Sequence, residues 1–440
     1  MQTTPPEQNS IPRNWARRFF IIWSGQAFSL VGSALVQFAL IWYLTKTTGS
    51  ATVLAVASLI GILPTVFLAP FAGTWIDRLN RRVTMIVADS FIALATLVLI
   101  LLFATGLVQV WHIYAILLIR AAGSAFHYPA MTSSTSLMVP KEHLARIAGM
   151  NQTLQGVISI VSPPLGALLL ALLPMQWVLA VDIITAVLAV GPLFFLSIPQ
   201  PPRQLAQAAG LVKKTSYWQD MKEGFTYIAH WPGLLGVIII AMMVNFLLSP
   251  VGALAPLMIT KVFNGGPLEL GWSESVFGVG MIAGGLVLSA WGGFKKRIIT
   301  SLSGIVGIGI GVTLAGLTPG NLFPLFLVGY FSLGFTQVFA NGPLSAIFQA
   351  NIEPDKQGRV LTLTSAGATA MMPISLLIAG PVSDWLGIRV WFIIGGIASI
   401  LMAFVAFMIK PIREIESNRK EPLKVQVTNQ PAVQPALKNK

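Results

Sequence analysis

Residues 73–82, Gly-Thr-Trp-Ile-Asp-Arg-Leu-Asn-Arg-Arg, place a carboxylate and three guanidinium groups between two long apolar runs. Each run is apolar enough to sit in lipid. A span needs about 20 mostly apolar residues, and a charge buried there costs several kcal/mol. The hinge must therefore lie at a membrane face, and its arginines mark the cytoplasmic side. A chain built this way crosses a bilayer and returns.

The pattern continues to the far end. Hydropathy predicts twelve spans, at 19–44, 52–75, 83–105, 111–133, 147–173, 177–198, 234–260, 271–293, 298–317, 322–345, 360–382 and 387–409. The expected class is all-α, with twelve transmembrane helices in two six-helix pseudo-repeats. Composition agrees: 55% of the 440 residues are hydrophobic and 10% charged, outside the range of soluble domains. The 40 glycines suit helices packing closely in lipid.

The net charge of +13 raises nucleic acid as a partner, but its distribution argues for a membrane instead. Of the 28 Lys and Arg, only Lys46, Lys261 and Arg389 fall on one side, with Arg120 inside a span. The asymmetry puts both termini in the cytoplasm, and the basic loops should attract anionic lipid. Cysteine is absent, which removes disulfide and thiolate chemistry. The N-terminus is polar, then basic, and enters a long span without a small-residue cleavage site, so no cleavable signal is expected.

The chain repeats itself at an offset of roughly 210–215 residues. Arg81-Arg82 answers to Lys295-Lys296-Arg297, the loop 139–147 to 352–360, and Pro163 to Pro373. This gives a tail at 1–18, a first half at 19–198, a linker at 199–233, a second half at 234–410 and a tail at 411–440. Within the linker, Trp218, Met221, Phe225 and Ile228 recur at helical spacing. They predict a short helix at 216–230, lying on the cytoplasmic membrane face or packed on the protein. The C-terminal tail has no periodicity and reads as disordered.

If a polytopic chain like this moves a solute, it needs a cavity, a coupling site and charges whose pairing differs between states. Intramembrane charges mark the place to look, because lipid makes them costly without a purpose. Arg120 lies near the middle of span 4, either functional or clamped to backbone carbonyls. Asp89, Asp182 and Glu274 are the buried acids that can carry a coupling proton. Asp182 and Glu274 sit near the external ends of their spans, in opposite halves, where together they could sense external pH. Their alternative is an interfacial carboxylate at headgroup depth. Asp89 has a static salt bridge with Arg78–Arg82 as its alternative. Gly73, Asp77, Arg78, Arg81 and Arg82 read as a conformational latch. Its second-half counterpart, Gly292-Gly293-Phe294-Lys295-Lys296-Arg297, lacks the aspartate. Gln26, Gln37, Asn151, Gln155, Asn245 and Gln337 could line a substrate cavity or join helices by hydrogen bonds. His112, His127, His143 and His230 have no metal-ligand spacing and none is expected at mid-depth. No Walker motif or nucleophile elbow is present, which leaves ATP hydrolysis and membrane hydrolase activity unsupported.

The hinge pattern Gly73-x-x-x-Asp77-Arg78-x-x-Arg81-Arg82, with the two-half repeat, resembles the major facilitator superfamily of transporters. Within it the chain resembles the macrolide-efflux proteins, the third drug:proton antiporter group, from about Trp15 to Glu416. The likeness rests on Ile22-Trp23-Ser24-Gly25-Gln26-Ala27, Lys46-Thr47-Thr48-Gly49-Ser50-Ala51 and Ile119-Arg120-Ala121-Ala122-Gly123-Ser124-Ala125-Phe126-His127-Tyr128-Pro129-Ala130. It rests also on Ala180-Val181-Asp182, on Glu274 and on Gly358-Arg359-Val360.

The resemblance implies the major facilitator fold with a midplane site between its halves, and no enzymatic activity. It implies antiport of bulky amphipathic drugs such as macrolides, driven by a proton gradient with no cofactor. The setting is a bacterial plasma membrane, and the carrier is a monomer with an ATP-binding partner as an optional accessory. It associates Arg120 with proton handling, and the hinge with stabilising the outward-facing form. Gln155-Gly156 and Ser162-Pro163-Pro164-Leu165-Gly166 resemble the span-5 exporter motif, making Gly156, Pro163, Pro164 and Gly166 candidates for the seam between halves. Export of a native metabolite, a siderophore or lysolipid, is the first alternative. A non-transporting sensor or scaffold is the second, weakened by the presence of Arg120 and the Asp77 hinge.

Overall fold

A computed structural model describes residues 14–76, 79–199 and 217–416, and every regular element among them is helical. In chain order these are α1 (Trp15–Thr48), α2 (Ala51–Ile76), α3 (Arg81–Ala104), α4 (Val110–Met138), α5 (Leu144–Leu172) and α6 (Met175–Phe195). Then follow α7 (Tyr217–Ala229), α8 (Pro232–Val262), α9 (Pro267–Trp291), α10 (Arg297–Leu317) and α11 (Phe323–Asn351). The last three are α12 (Pro354–Leu386), α13 (Ile388–Met408) and the single turn α14 (Lys410–Arg413). The long helices α1–α6 and α8–α13 take the twelve predicted crossings. The hinge residues Asp77 and Arg78, the tails 1–13 and 417–440 and the linker 200–216 lie outside the described residues.

Among the described residues, eleven helices are long and apolar enough to cross a membrane. The exception is α4, which carries Arg120, His127 and the hydroxyl run 132–136. Its polarity is spent inward: Arg120, His127 and Ser134 are buried. Most helices overrun the predicted spans. α1 continues to Thr48, where Gly49 at φ 58° turns the chain left-handed and stops it. α9 begins four residues before the expected 271, because Pro267 fits a first helical position and Glu269 accepts the Gly266 N–H at 2.7 Å.

The sequence repeat is also a packing repeat. In the first half α1 packs on α5 and α6, α2 on α4, and α3 on α4 and α6. The equivalents recur in the second: α8 on α12 and α13, α9 on α11, α10 on α11 and α13. Small residues set the close approaches. A Cβ on Gly396 would lie 2.7 Å from the Gly309 carbonyl oxygen, so α10 and α13 touch by backbone. The linker helix α7 packs on α12. Glu223 pairs with Arg359 at 2.7 Å and Gly224 abuts Leu363, while Phe225 remains exposed.

The halves meet along two related seams, α5 on α9 and α2 on α12. Ser275 donates to the Ile160 carbonyl at 3.0 Å, and Gly271 lies against the backbone of Pro163 and Pro164. In the other seam Gly380 lies against Thr52 and Ala55. These contacts gather toward the face away from the termini. Farther along the same helices, a Cβ on Gly61 or on Gly156 would meet nothing within 4 Å.

Candidate functional site

The first half is braced by a buried ion pair. Arg120 of α4 faces Asp182 of α6, with Nη1 against Oδ2 and Nη2 3.5 Å from Oδ1. Both are buried, Asp182 to 2% exposure. Two other helices complete the shell. Ser33 of α1 donates to Asp182 Oδ1 at 3.0 Å, and Thr96 of α3 donates to Oδ2 at 2.8 Å. Arg120 also donates to the Thr96 hydroxyl at 2.9 Å and the Ser33 carbonyl at 3.3 Å. Four helices are thus tied by one charge-assisted network, in a medium where an unpaired charge is expensive.

A second polar layer lies two turns along the same helices. Asp89 is seven residues before Thr96 on α3, and His127 is seven after Arg120 on α4. His127 Nε2 sits 3.4 Å from Asp89 Oδ1, and Gln26 of α1 reaches Oδ2 at 3.4 Å. All three are buried, and the Gln26 carbonyl oxygen has no partner. This overturns two expectations. Asp89 pairs with His127 and Gln26, not with Arg81 or Arg82, because roughly 11 Å of helix separates it from them. The histidines are not all peripheral either, since His127 lies well inside α4.

In the second half Glu274 of α9 lines a cavity of about 320 Å³ with Asn245, Tyr330, Gln337, Asn341 and Met372. The Tyr330 hydroxyl is buried without a hydrogen-bond partner. Asp182 and Glu274 are not brought together: one is locked inside the first half, the other faces a cavity lined only by the second. The joint external sensor is therefore withdrawn.

The remaining candidates divide. Asn245 and Gln337 line the Glu274 cavity. Asn151 instead accepts the Trp23 indole N–H at 2.8 Å, joining α1 to α5, and Gln26 serves Asp89. Gln37 and Gln155 are exposed. Of the seam residues, Pro163 and Pro164 lie at α9, whereas Gly166 packs on Phe38 and Leu35 of its own half, and Gly156 is exposed, with open space where a Cβ would stand. Their side of α5 decides this: Ile160, Pro163, Pro164 and Ala167 face the partner half. From the hinge, Arg81 donates to the Ser133 carbonyl at 2.8 Å. Arg82 donates through Nε to the Leu193 carbonyl and through Nη2 to that of Phe194 at 2.7 Å. These cations rest on the C-terminal ends of α4 and α6, where helix dipoles favour them.

Sequence reading missed Ser33, Thr96, His127 and Tyr330, and also Asp384. Asp384, in the last turn of α12, accepts the Ala51 N–H at 2.7 Å, the Thr52 N–H at 2.9 Å and the Ser50 hydroxyl at 2.9 Å. Its available signal was the spacing Gly380-x-x-x-Asp384, the same as Gly73-x-x-x-Asp77.

Comparison with known proteins adds a family. Residues 14–440 match the family model described as transmembrane secretion effector. The chain is 36% identical over 403 residues to macrolide efflux protein A of Streptococcus pyogenes, covering 92% of this chain and 98% of that protein. It is 27% identical over 405 residues to the multidrug efflux pump Tap of Mycolicibacterium fortuitum, covering 88% and 94%. Among solved structures, a bacterial homologue of the iron transporter ferroportin in an inward-facing state matches with a TM-score of 0.66 at 16% identity, covering 89% of this chain and 98% of that one. That last likeness is one of fold alone.

Proposed function

This chain belongs to the transmembrane secretion effector family of the major facilitator superfamily, and on that premise we propose that it exports bulky amphipathic drugs in exchange for protons. Macrolides are the substrate class favoured by the similarity to macrolide efflux protein A. The carrier works in a bacterial plasma membrane as a monomer, with both termini and the linker cytoplasmic. Under that orientation the seams close the external side, and the structure is an inward-open state. Alternating access then consists of opening those seams while the cytoplasmic side closes.

One observation carries the coupling reading. Glu274 is an intramembrane acid that lines a cavity, whereas Asp182 faces a guanidinium group. A carboxylate in a cavity can take a proton or meet the cationic amine of a drug, and cannot do both at once. Loading from outside and release inside, with drug moving the other way, then follow from one site. Asn245, Gln337 and Tyr330 supply hydrogen bonds to a hydroxyl-rich substrate, and Phe277 and Met372 give it an adaptable apolar wall. Arg120 and Asp182 brace the first half against which the second moves.

Two experiments test this. The first is a resistance profile in an efflux-deficient bacterial host across macrolides, dyes, iron chelators and lysolipids. Protection against macrolides or dyes supports the drug reading; protection confined to chelators or lysolipids replaces it with a metabolite exporter. The second is topology. An impermeant thiol reagent should label Thr47→Cys and Leu107→Cys in intact cells but not Phe225→Cys, and the reverse pattern would invert the orientation.

A further inference from the structure

Asp384 stands where its own helix disfavours it. It lies in the last turn of α12, whose C-terminal carbonyls repel an anion. Its partners belong instead to the N-terminus of α2, in the other half of the protein. There it accepts from the Ala51 and Thr52 N–H groups, which have no partner within their own helix. Ser50 couples the two: its hydroxyl donates to Asp384 at 2.9 Å and accepts the Val53 N–H at 3.3 Å. The α2 N-terminus is capped partly by its own serine and partly by a carboxylate from across the seam. Gly380 permits the approach, since a Cβ there would lie 2.9 Å from Thr52 Cα.

The sequence carries this device twice. Gly73, Asp77 and Arg82 have the spacing of Gly380, Asp384 and Arg389. Asp77 follows Ile76, the last residue of α2, as Asp384 closes α12. The two arginines do the same job in their own halves. Arg82 holds carbonyls at the end of α6, and Arg389 holds the Thr318 carbonyl at the end of α10, at 3.0 Å. α12 carries Asp384 at the end where α2 begins.

We propose that Asp384 is a positioning residue of the transport cycle, an external latch that holds the two halves together through the N-terminus of α2 in the inward-open state and is the mirror image of the Asp77 hinge. Opening the external seam strips Asp384 of three donors and leaves it facing its own helix C-terminus. The bond therefore stabilises one state only, which is the condition for biasing a two-state equilibrium. The inference rests on the rocking of two halves, and not on the identity of drug or ion.

The test uses the absence of native cysteine. Ser275→Cys places a thiol in the other seam, away from Asp384, and an impermeant maleimide reports its opening to the outside. Asp384→Asn should raise that labelling rate by roughly tenfold, the effect of about 1.4 kcal/mol on a two-state population. Ser50→Ala, which removes one of the three bonds to Asp384 together with the Val53 cap and no charge, should raise it roughly threefold and keeps the test alive should Asp384→Asn not reach the membrane. Asp77→Asn should lower the rate, and the double Asp77→Asn/Asp384→Asn should return it to near that of Ser275→Cys alone. Unchanged labelling in Asp384→Asn and Ser50→Ala would overturn the latch. No drug or proton gradient enters the measurement, so a failed drug-export reading leaves this result interpretable.

Discussion

Asp182 and Glu274 are intramembrane acids of the two repeated halves, and they live under opposite conditions. Asp182 meets a guanidinium and two hydroxyls from three other helices, at 2% exposure. Glu274 faces a cavity of about 320 Å³ with a partnerless tyrosine hydroxyl in its wall. The helices around them pack in the same pairs, so the fold does not account for the difference; the side chains do. A satisfied network rigidifies, and an open acid is available to ligands. In the proposed account the first half is the frame and the second half receives the proton and the drug.

The largest effects should come from breaking the frame. Arg120→Ala leaves Asp182 buried without its cation, at a cost of about 3–5 kcal/mol, and should abolish efflux and lower thermal stability. Arg120→Lys should rescue partly, because lysine supplies the charge without the planar fork. The paired replacement Arg120→Met with Asp182→Leu should recover most of the stability, measured by thermal unfolding in detergent. If it recovers full efflux too, the pair is structural alone.

A middling effect is expected one layer down. His127 and Gln26 hold the buried Asp89 between α4, α1 and α3. His127→Gln should loosen that layer and slow efflux roughly threefold to tenfold, measured as initial efflux rate at fixed pH. A rate matching the parent's would detach this layer from transport.

The smallest effect belongs to a contact with no role in either task. Trp23→Phe removes the hydrogen bond to Asn151 and should cost about 1 kcal/mol in stability, leaving transport kinetics within twofold. A large kinetic effect would return Asn151 to the substrate path.

Much of the fold was legible because lipid enforces it. Apolar runs, basic loops and a repeat offset are local patterns, and they identified the crossings, including polar α4. Arg120 was legible because a charge at mid-span needs a purpose. Its partner was named but misread: Asp182 looked interfacial by depth, and nothing local tells that Arg120, 62 residues away, faces it. His127 was passed over because a histidine in a polar helix carries no spacing signal, and its contact with Asp89 depends on how α3 and α4 rotate. Asp384 was invisible for a similar reason. An acid at a span end is ordinary, and its partners lie more than 330 residues away.

The most direct test of the account compares Glu274→Gln with the parent chain in liposomes, with and without an imposed pH gradient. The carboxamide keeps the shape of the site and removes the exchangeable proton. The account predicts that downhill exchange of a drug lacking a basic amine continues near the parent rate, while accumulation against a gradient driven by pH is lost. A Glu274→Gln protein that still concentrates drug under a pH gradient as the parent does would contradict the central claim and move coupling to another group.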